Sequence, residues 1–423
     1  MKLRTLNSAI ALTLISFSLA QTAYTKTPTS ETSKLSQEVA GLRKQGPSGL
    51  QTFLKSHASQ LNSPSPQLGA ALDELCQQRD CYASKLYWYT DLEQAKAAAK
   101  ASGKPILSLR LLGRLDQDLS CANSRFFRVA LYPNAEIAKI LRERYILHWQ
   151  SVRPAPKVTI DFGDGRKLER TITGNSIHYI LDASGRPIDA MPGLYGPKAF
   201  LRQLQQGEVA VKEYTKLAGT EKEAFLRKYH SDRLNAIQTQ WAADLSKLGI
   251  KSPPRLLAAF PSNPNVAPRA EVAAPLAVSK MRVESPMLNS FQFAEQNQNT
   301  LKEITDQATW SKISQLYSND AKLDQNSISL IRAKKSHANT KPDSLQPVVS
   351  KFETAMALDT VRNEYMLHSQ IHQWFMQGNQ TSNIDALNEK VYAQLFLTPS
   401  SDPWLGLAPG DSYSAIDNDG IRK

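Results

Sequence analysis

Gly103-Lys-Pro-Ile-Leu-Ser-Leu-Arg-Leu-Leu112 is the stretch whose reading decides the fold. Ile106 to Leu112 is an almost unbroken apolar run of strand length, the pattern of a strand covered on both faces. Gly103 and Pro105 end what precedes it, an Ala-rich helix that runs to Ser102. That helix opens at Thr90-Asp-Leu-Glu93, a capping box in which Thr90 is the expected cap. Downstream, a polar loop from Gly113 to Ser120 leads into Cys121-Ala-Asn-Ser124 and a helix carrying Phe126, Phe127, Val129 and Ala130. Asn134 can cap a further helix, and Tyr145 to Val152 is a second apolar strand. Lys157 to Thr173 alternates about Gly163-Asp-Gly165 and predicts a hairpin. Ile177 to Leu181 is a third core strand, Asp182-Ala-Ser-Gly185 its turn, and Pro187 to Met191 the return. Gly196-Pro197 then opens a helix with proline in its first turn.

This order, with Cys-x-x-Ser at a helix start, resembles the thioredoxin-like fold over residues 84–206, where the family carries Cys-x-x-Cys. Lys104-Pro-Ile-Leu-Ser-Leu stands where the family has its central strand. Gly174-Asn-Ser-Ile-His-Tyr-Ile-Leu-Asp182 stands where the family has Gly-x-Pro-Thr and a strand, so Ser176 falls at its cis-proline position. Gly185-Arg-Pro-Ile and Gly193-Leu-Tyr-Gly196 match its terminal hairpin and helix. The resemblance implies an α/β domain with a mixed central sheet and flanking helices. It also implies that Cys121 is the nucleophile, with Ser124 in place of the resolving thiol.

A thiol at a helix N-terminus faces unpaired amides and the positive end of the dipole, which favour thiolate and lower its pKa below the usual ~8.5. Arg125 and Arg128 follow within two turns and add positive charge. Ser124 can hydrogen-bond the thiolate but cannot resolve a mixed disulfide, so Cys-x-x-Ser predicts monothiol chemistry or partner trapping. The alternative is a buried, inert cysteine. Cys76 and Cys81 are five residues apart, too far to bond within one helix, so a turn at Arg79-Asp80 is required for the local disulfide we expect. A redox pair exchanging with Cys121, or two free thiols, remain the alternatives. Glu364, His368 and His372 fall at i, i+4 and i+8 on one helix face, a spacing that suits a metal. Leu358, Val361, Tyr365, His368, His372 and Phe375 also form an ordinary core stripe, and we read the histidines that way, with no metal and no cofactor.

The chain has 423 residues, 41% of them hydrophobic, enough for two or three folded units. Lys2 and Arg4 before the apolar segment Ala9 to Ala20 form a signal peptide, with cleavage near Ala20 or Ala23. No later run is long enough to cross a bilayer. Three cysteines exclude a disulfide scaffold and a four-thiolate zinc site. The formal charge of +12, scattered among acids, points in an exported chain toward anionic envelope surfaces rather than nucleic acid.

The expected organisation is a signal peptide at 1–23, a small helical segment at 24–83, the α/β domain at 84–206 and a helical extension at 207–251. A Pro/Ala-rich linker follows at 252–295, then a helical C-terminal region at 296–423, within which Asn319 to Asp343 reads as a polar connection. Two functions follow from these readings. One is a periplasmic or secreted monothiol protein acting through Cys121. The other is a silent scaffold whose C-terminal helices bind an envelope protein through surfaces at Trp374 and Trp404.

Overall fold

The structure, a computed structural model, describes residues 30–61, 64–171, 174–254, 307–335, 345–378, 381–404 and 415–416. The expected signal peptide and nearly all of the 252–295 linker lie outside them.

The N-terminal helices α1 (Ser30–Arg43), α2 (Pro47–Ser56), α3 (Pro66–Cys76) and α4 (Cys81–Ser84) enclose a core of their own, with Leu50, Phe53, Leu72 and Leu75 fully buried. Ser65 caps α3 by accepting from Leu68 N. The helix ends where Gln77 turns left-handed (φ 54°), and Asp80 does the same (φ 62°) before α4 begins. Asp73 holds this turn, accepting from Cys81 N at 2.8 Å and from Arg79 at 3.2 Å. The turn brings Cys76 and Cys81 together as a disulfide, with Cα atoms 6.3 Å apart. Trp88 then carries the chain into the main core, its indole N–H donating to Gln78 Oε1 at 2.8 Å.

The α/β region comprises α5 (Leu92–Ser102), β1 (Ile106–Leu112) and α6 (Ala122–Phe126), which runs on through a π turn at Phe127–Leu131. It continues with α7 (Ala135–Arg144), β2 (Ile146–Arg153), β3 (Lys157–Asp161), β4 (Lys167–Thr171), β5 (Ser176–Leu181), β6 (Pro187–Pro192) and α8 (Pro197–Thr215). The cap of α5 is Asp91, not Thr90. Asp91 is the last extended residue, and its carboxylate accepts from Gln94 N at 2.8 Å. The four-stranded sheet runs β2-β1-β5-β6, while β3 and β4 pair as a separate ribbon. β1 is parallel to β2 and antiparallel to β5, and β5 is antiparallel to β6. The parallel pair requires a long crossover, supplied by α6 and α7. All seven residues of β1 are buried, as its apolar run predicts.

The long helix α9 (Gly219–Lys247) follows, then α10 (Gln307–Gln315), α11 (Gln325–Lys335) and α12 (Leu345–Arg362). A π turn at Asn363–His368 joins α12 to α13 (Ser369–Gln377), and α14 (Ile384–Lys390) ends in another at Val391–Leu395. The polar connection expected at 319–343 instead holds a 3-10 turn at Ser318–Ala321 and all of α11. Leu330 is buried and Ile328 and Ile331 pack on the main core, an apolar side of α11 that its polar composition conceals. Met356, Ile371, Phe375, Leu387 and Tyr392 share one core with β1 and β5, so the C-terminal helices pack directly on the α/β region. Among the described residues no helix is long and apolar enough to cross a membrane.

Candidate functional site

Cys121 occupies the N-cap of α6, as its position predicts, with its own N–H donating to Leu112 O at 3.0 Å. Its environment is not that of an activated thiol. Cys121 has no exposed surface, and burial pushes the thiol pKa up, outweighing the opposing hydrogen bonds from Ser124 and Leu112 and the charge of Arg125. The lowered pKa expected from a helix start is therefore reversed, because desolvation of the thiolate exceeds what the local amides return. Ser124 is also fully buried, and its hydroxyl lies 2.6 Å from Ser120 Oγ and 2.8 Å from Cys121 O. Arg128 turns toward the preceding loop and donates to Asp118 O. Ser176 begins β5, buried, with a hydroxyl that has no hydrogen-bond partner among the described residues.

The chain's own C-terminal segment covers this end of the sheet. Tyr392 donates its hydroxyl hydrogen to Asn175 O at 3.0 Å, and Asn175 Nδ2 donates to Thr398 Oγ1 at 3.0 Å. The Arg153 guanidinium grips the same segment through Thr398 O (2.7 Å), Asp402 O (2.9 Å) and Pro399 O (3.3 Å). Trp374, expected on a binding surface, is buried at 4% exposure beneath the Lys390 ammonium, whereas Trp404 is 43% exposed.

A second site lies at the far end of β6. His368 sits between two carboxylates, with Nε2 3.2 Å from Asp189 Oδ1 and Nδ1 3.0 Å from Glu364 Oε2. Tyr229 on α9 donates to Asp189 Oδ2 at 2.6 Å, and His230 Nδ1 lies 2.8 Å from His372 Nδ1. Gln203 on α8 donates to Glu364 at 3.1 Å and accepts from Arg233 at 2.8 Å. All three histidines have no exposed surface, in keeping with the core reading of the stripe.

Burial alone would lower His368, but the two carboxylates outweigh it and raise its pKa to about 9. Burial likewise opposes ionisation of Asp189, yet the hydrogen bond and charge of His368 hold that carboxyl well below its usual range. Burial pushes His230 down to about 4, and burial with the His368 charge drives His372 well down. Asp189, His368 and His372 each present one donor atom within 4.8 Å of the others, a set that could hold a metal ion.

Glu364 also faces outward. It lines a cleft of about 530 Å³ together with Gln203, Arg233, Tyr195, Tyr317 and Tyr365. Sequence reasoning found Glu364, His368 and His372 but not Asp189 or His230. An acid inside the otherwise apolar return strand Pro187 to Met191 was the available signal for Asp189. Nothing in the charged pattern of α9 distinguished His230.

The chain matches no family model, no curated protein and no solved structure.

Proposed function

We propose that residues 84–206 are a thioredoxin-like domain used as a scaffold in an exported protein, and that its function is to bind an envelope protein through the C-terminal helical layer. The thioredoxin-like reading is supported by the β2-β1-β5-β6 order, by antiparallel β5 and β6, and by a cysteine at the helix that follows β1. The observation that carries the scaffold reading is the fully buried Cys121 beside the Asn175 loop, which the Tyr392–Asp402 segment covers. A disulfide substrate has no path to such a thiol, and the thiolate is disfavoured there. Binding falls instead to the cleft at Glu364. Its lining, shared between α8, α9 and the C-terminal helices, pairs Arg202 with Asp320 and Arg233 with Glu364, a polar lining suited to a peptide segment. Iodoacetamide labelling of the folded protein is the test. The reading expects Cys121 to stay unlabelled at pH 8.5 until denaturant unfolds the chain. Rapid labelling of the folded protein, titrating below the free-cysteine value, would overturn it in favour of monothiol chemistry.

A further inference from the structure

We propose that Asp189, His368 and His372 form a buried binding site for one divalent ion of the zinc type, with His230 holding His372 in place. The site would tie β6 to the π turn and helix that follow α12. Two histidines and one carboxylate are a donor set of zinc chemistry, with the fourth position left to water.

The geometry supports the assignment on three counts. Ligands at about 2.0–2.1 Å in a tetrahedron lie about 3.3 Å apart. His368 Nε2 and Asp189 Oδ1 are 3.2 Å apart, and one donor atom of His372 lies within 4.8 Å of both.

The outer contacts are those that orient metal ligands. Glu364 Oε2, 3.0 Å from His368 Nδ1, fixes the tautomer that turns a bare Nε2 toward Asp189. Tyr229 engages Oδ2 of Asp189 and leaves Oδ1 facing the histidines. Gln203 and Arg233 in turn hold Glu364.

The third count is an unmet need. His372 is fully buried, and its Nε2 has no hydrogen-bond partner among the described residues. Buried polar nitrogens are ordinarily satisfied; His230 occupies Nδ1 of His372, so coordination through Nε2 would complete it. The competing occupant is a proton on His368, shared between Asp189 and Glu364. The proton satisfies His368 but leaves Nε2 of His372 without a hydrogen-bond partner among the described residues.

Because every donor is buried, the ion would load as the chain folds and exchange slowly afterwards. The test uses the full chain. The purified protein is analysed for metal by plasma mass spectrometry. It is then unfolded in guanidinium with EDTA, freed of chelator, and refolded with Zn²⁺, with Co²⁺ or with no metal. One ion per chain is expected after gel filtration, with a higher melting temperature than the metal-free refold. The Co²⁺ form should show the intense visible bands of tetrahedral cobalt. Asp189→Asn and His372→Gln should each lower retained metal at least tenfold, while His57→Ala, on the N-terminal helices, should leave it unchanged. The proposal is overturned if refolding in excess Zn²⁺ retains no ion and leaves the melting temperature unmoved. It is equally overturned if His372→Gln keeps the wild-type metal content. Should either variant fail to fold, the wild-type cobalt spectrum decides: a spectrum without tetrahedral bands refutes the site.

Discussion

Acidification should destabilise this protein through two histidines locked neutral in the sheet. His148 on β2 is paired in register with Ser108 of β1, and its Nδ1 lies 2.8 Å from Ser108 Oγ. Burial first, then the charge of Arg110, lowers its pKa to about 3 against a smaller opposing pull from Asp91. His178 on β5 contacts the Tyr132 hydroxyl through Nε2 at 2.9 Å and is flanked by the rings of Phe127 and Phe200. Burial alone brings it to about 3. A folded-state pKa depressed below the unfolded ~6.5 means stability is complete above pH ~6.5 and is lost as pH falls toward 3. At pH 4.5 the unfolded chain has gained two protons that the fold refuses. At about 1.4 kcal/mol per unit, each histidine then costs about 3 kcal/mol, and the pair about 5–6 kcal/mol. That is a large share of the ~5–15 kcal/mol typical of a folded domain. Urea titrations followed by tryptophan fluorescence at pH 7, 5.5 and 4.5 measure the fall. His148→Asn and His178→Gln keep an acceptor near Ser108 Oγ and the Tyr132 hydroxyl but cannot titrate. Each should reduce the slope of stability against pH by about 1.4 kcal/mol per unit between pH 6 and 4, whatever its effect at pH 7. Slopes equal to wild type in both variants would refute the reasoning.

Four further outcomes follow from the geometry. Gly193→Ala places a Cβ 2.5 Å from Asn363 Nδ2 at a residue with φ +76°, and should cost about 2–3 kcal/mol in urea unfolding. Arg153→Ala removes the three hydrogen bonds that hold Thr398 to Asp402 and should speed labelling of Cys121 in the folded state; an unchanged rate would show that this segment does not guard the thiol. Reducing the Cys76–Cys81 disulfide, or Cys76→Ser with Cys81→Ser, should cost about 2 kcal/mol for so short a loop, read as a lower urea midpoint. Asp91→Ala should cost about 1 kcal/mol, with Thr90→Ala near neutral; the reverse order would return the cap of α5 to Thr90.

Where local chemistry dominates, the sequence was a sound guide. The bounds of β1, Ile106–Leu112, are those of its apolar run, because a strand covered on both faces needs no alternation. Gly103, Asn134 and the Gly196-Pro197 pair act at their helix ends as their conformational preferences require. Cys121 shows where local reasoning stops. Its place at a helix start was legible, but its titration is governed by burial, to which the distant Tyr392–Asp402 segment contributes, and no local pattern encodes that. The histidine site divides in the same way. Glu364, His368 and His372 share a helical period and were visible together, though the π turn at Asn363–His368 alters their spacing in space. Asp189 and His230 reach them only through the packing of β6 and α9 against that helix, so periodicity could not join them.

The contacts between sheet and C-terminal helices also bear on what counts as a folding unit. The opening N–H of α8, at Gly196, donates to Thr360 Oγ1 at 2.7 Å. Leu194 O accepts from Asn363 Nδ2 at 2.7 Å, and Asn175 O accepts from Tyr392. Each is a buried peptide group of the α/β region whose partner is a side chain of α12 or of the turns after α12 and α14. Water can replace these partners once the layer is gone, so each lost hydrogen bond costs about 0.5–1.5 kcal/mol. Removal of the helical layer would also expose apolar surface of the shared core, such as Tyr179, whose hydroxyl donates to Asn388 Oδ1, adding the cost of hydrating it. The shared core and these contacts predict that the sheet and the C-terminal helices unfold in one transition, with no separate transition for residues 84–206. The same packing both closes the region over Cys121 and assembles the buried histidine cluster.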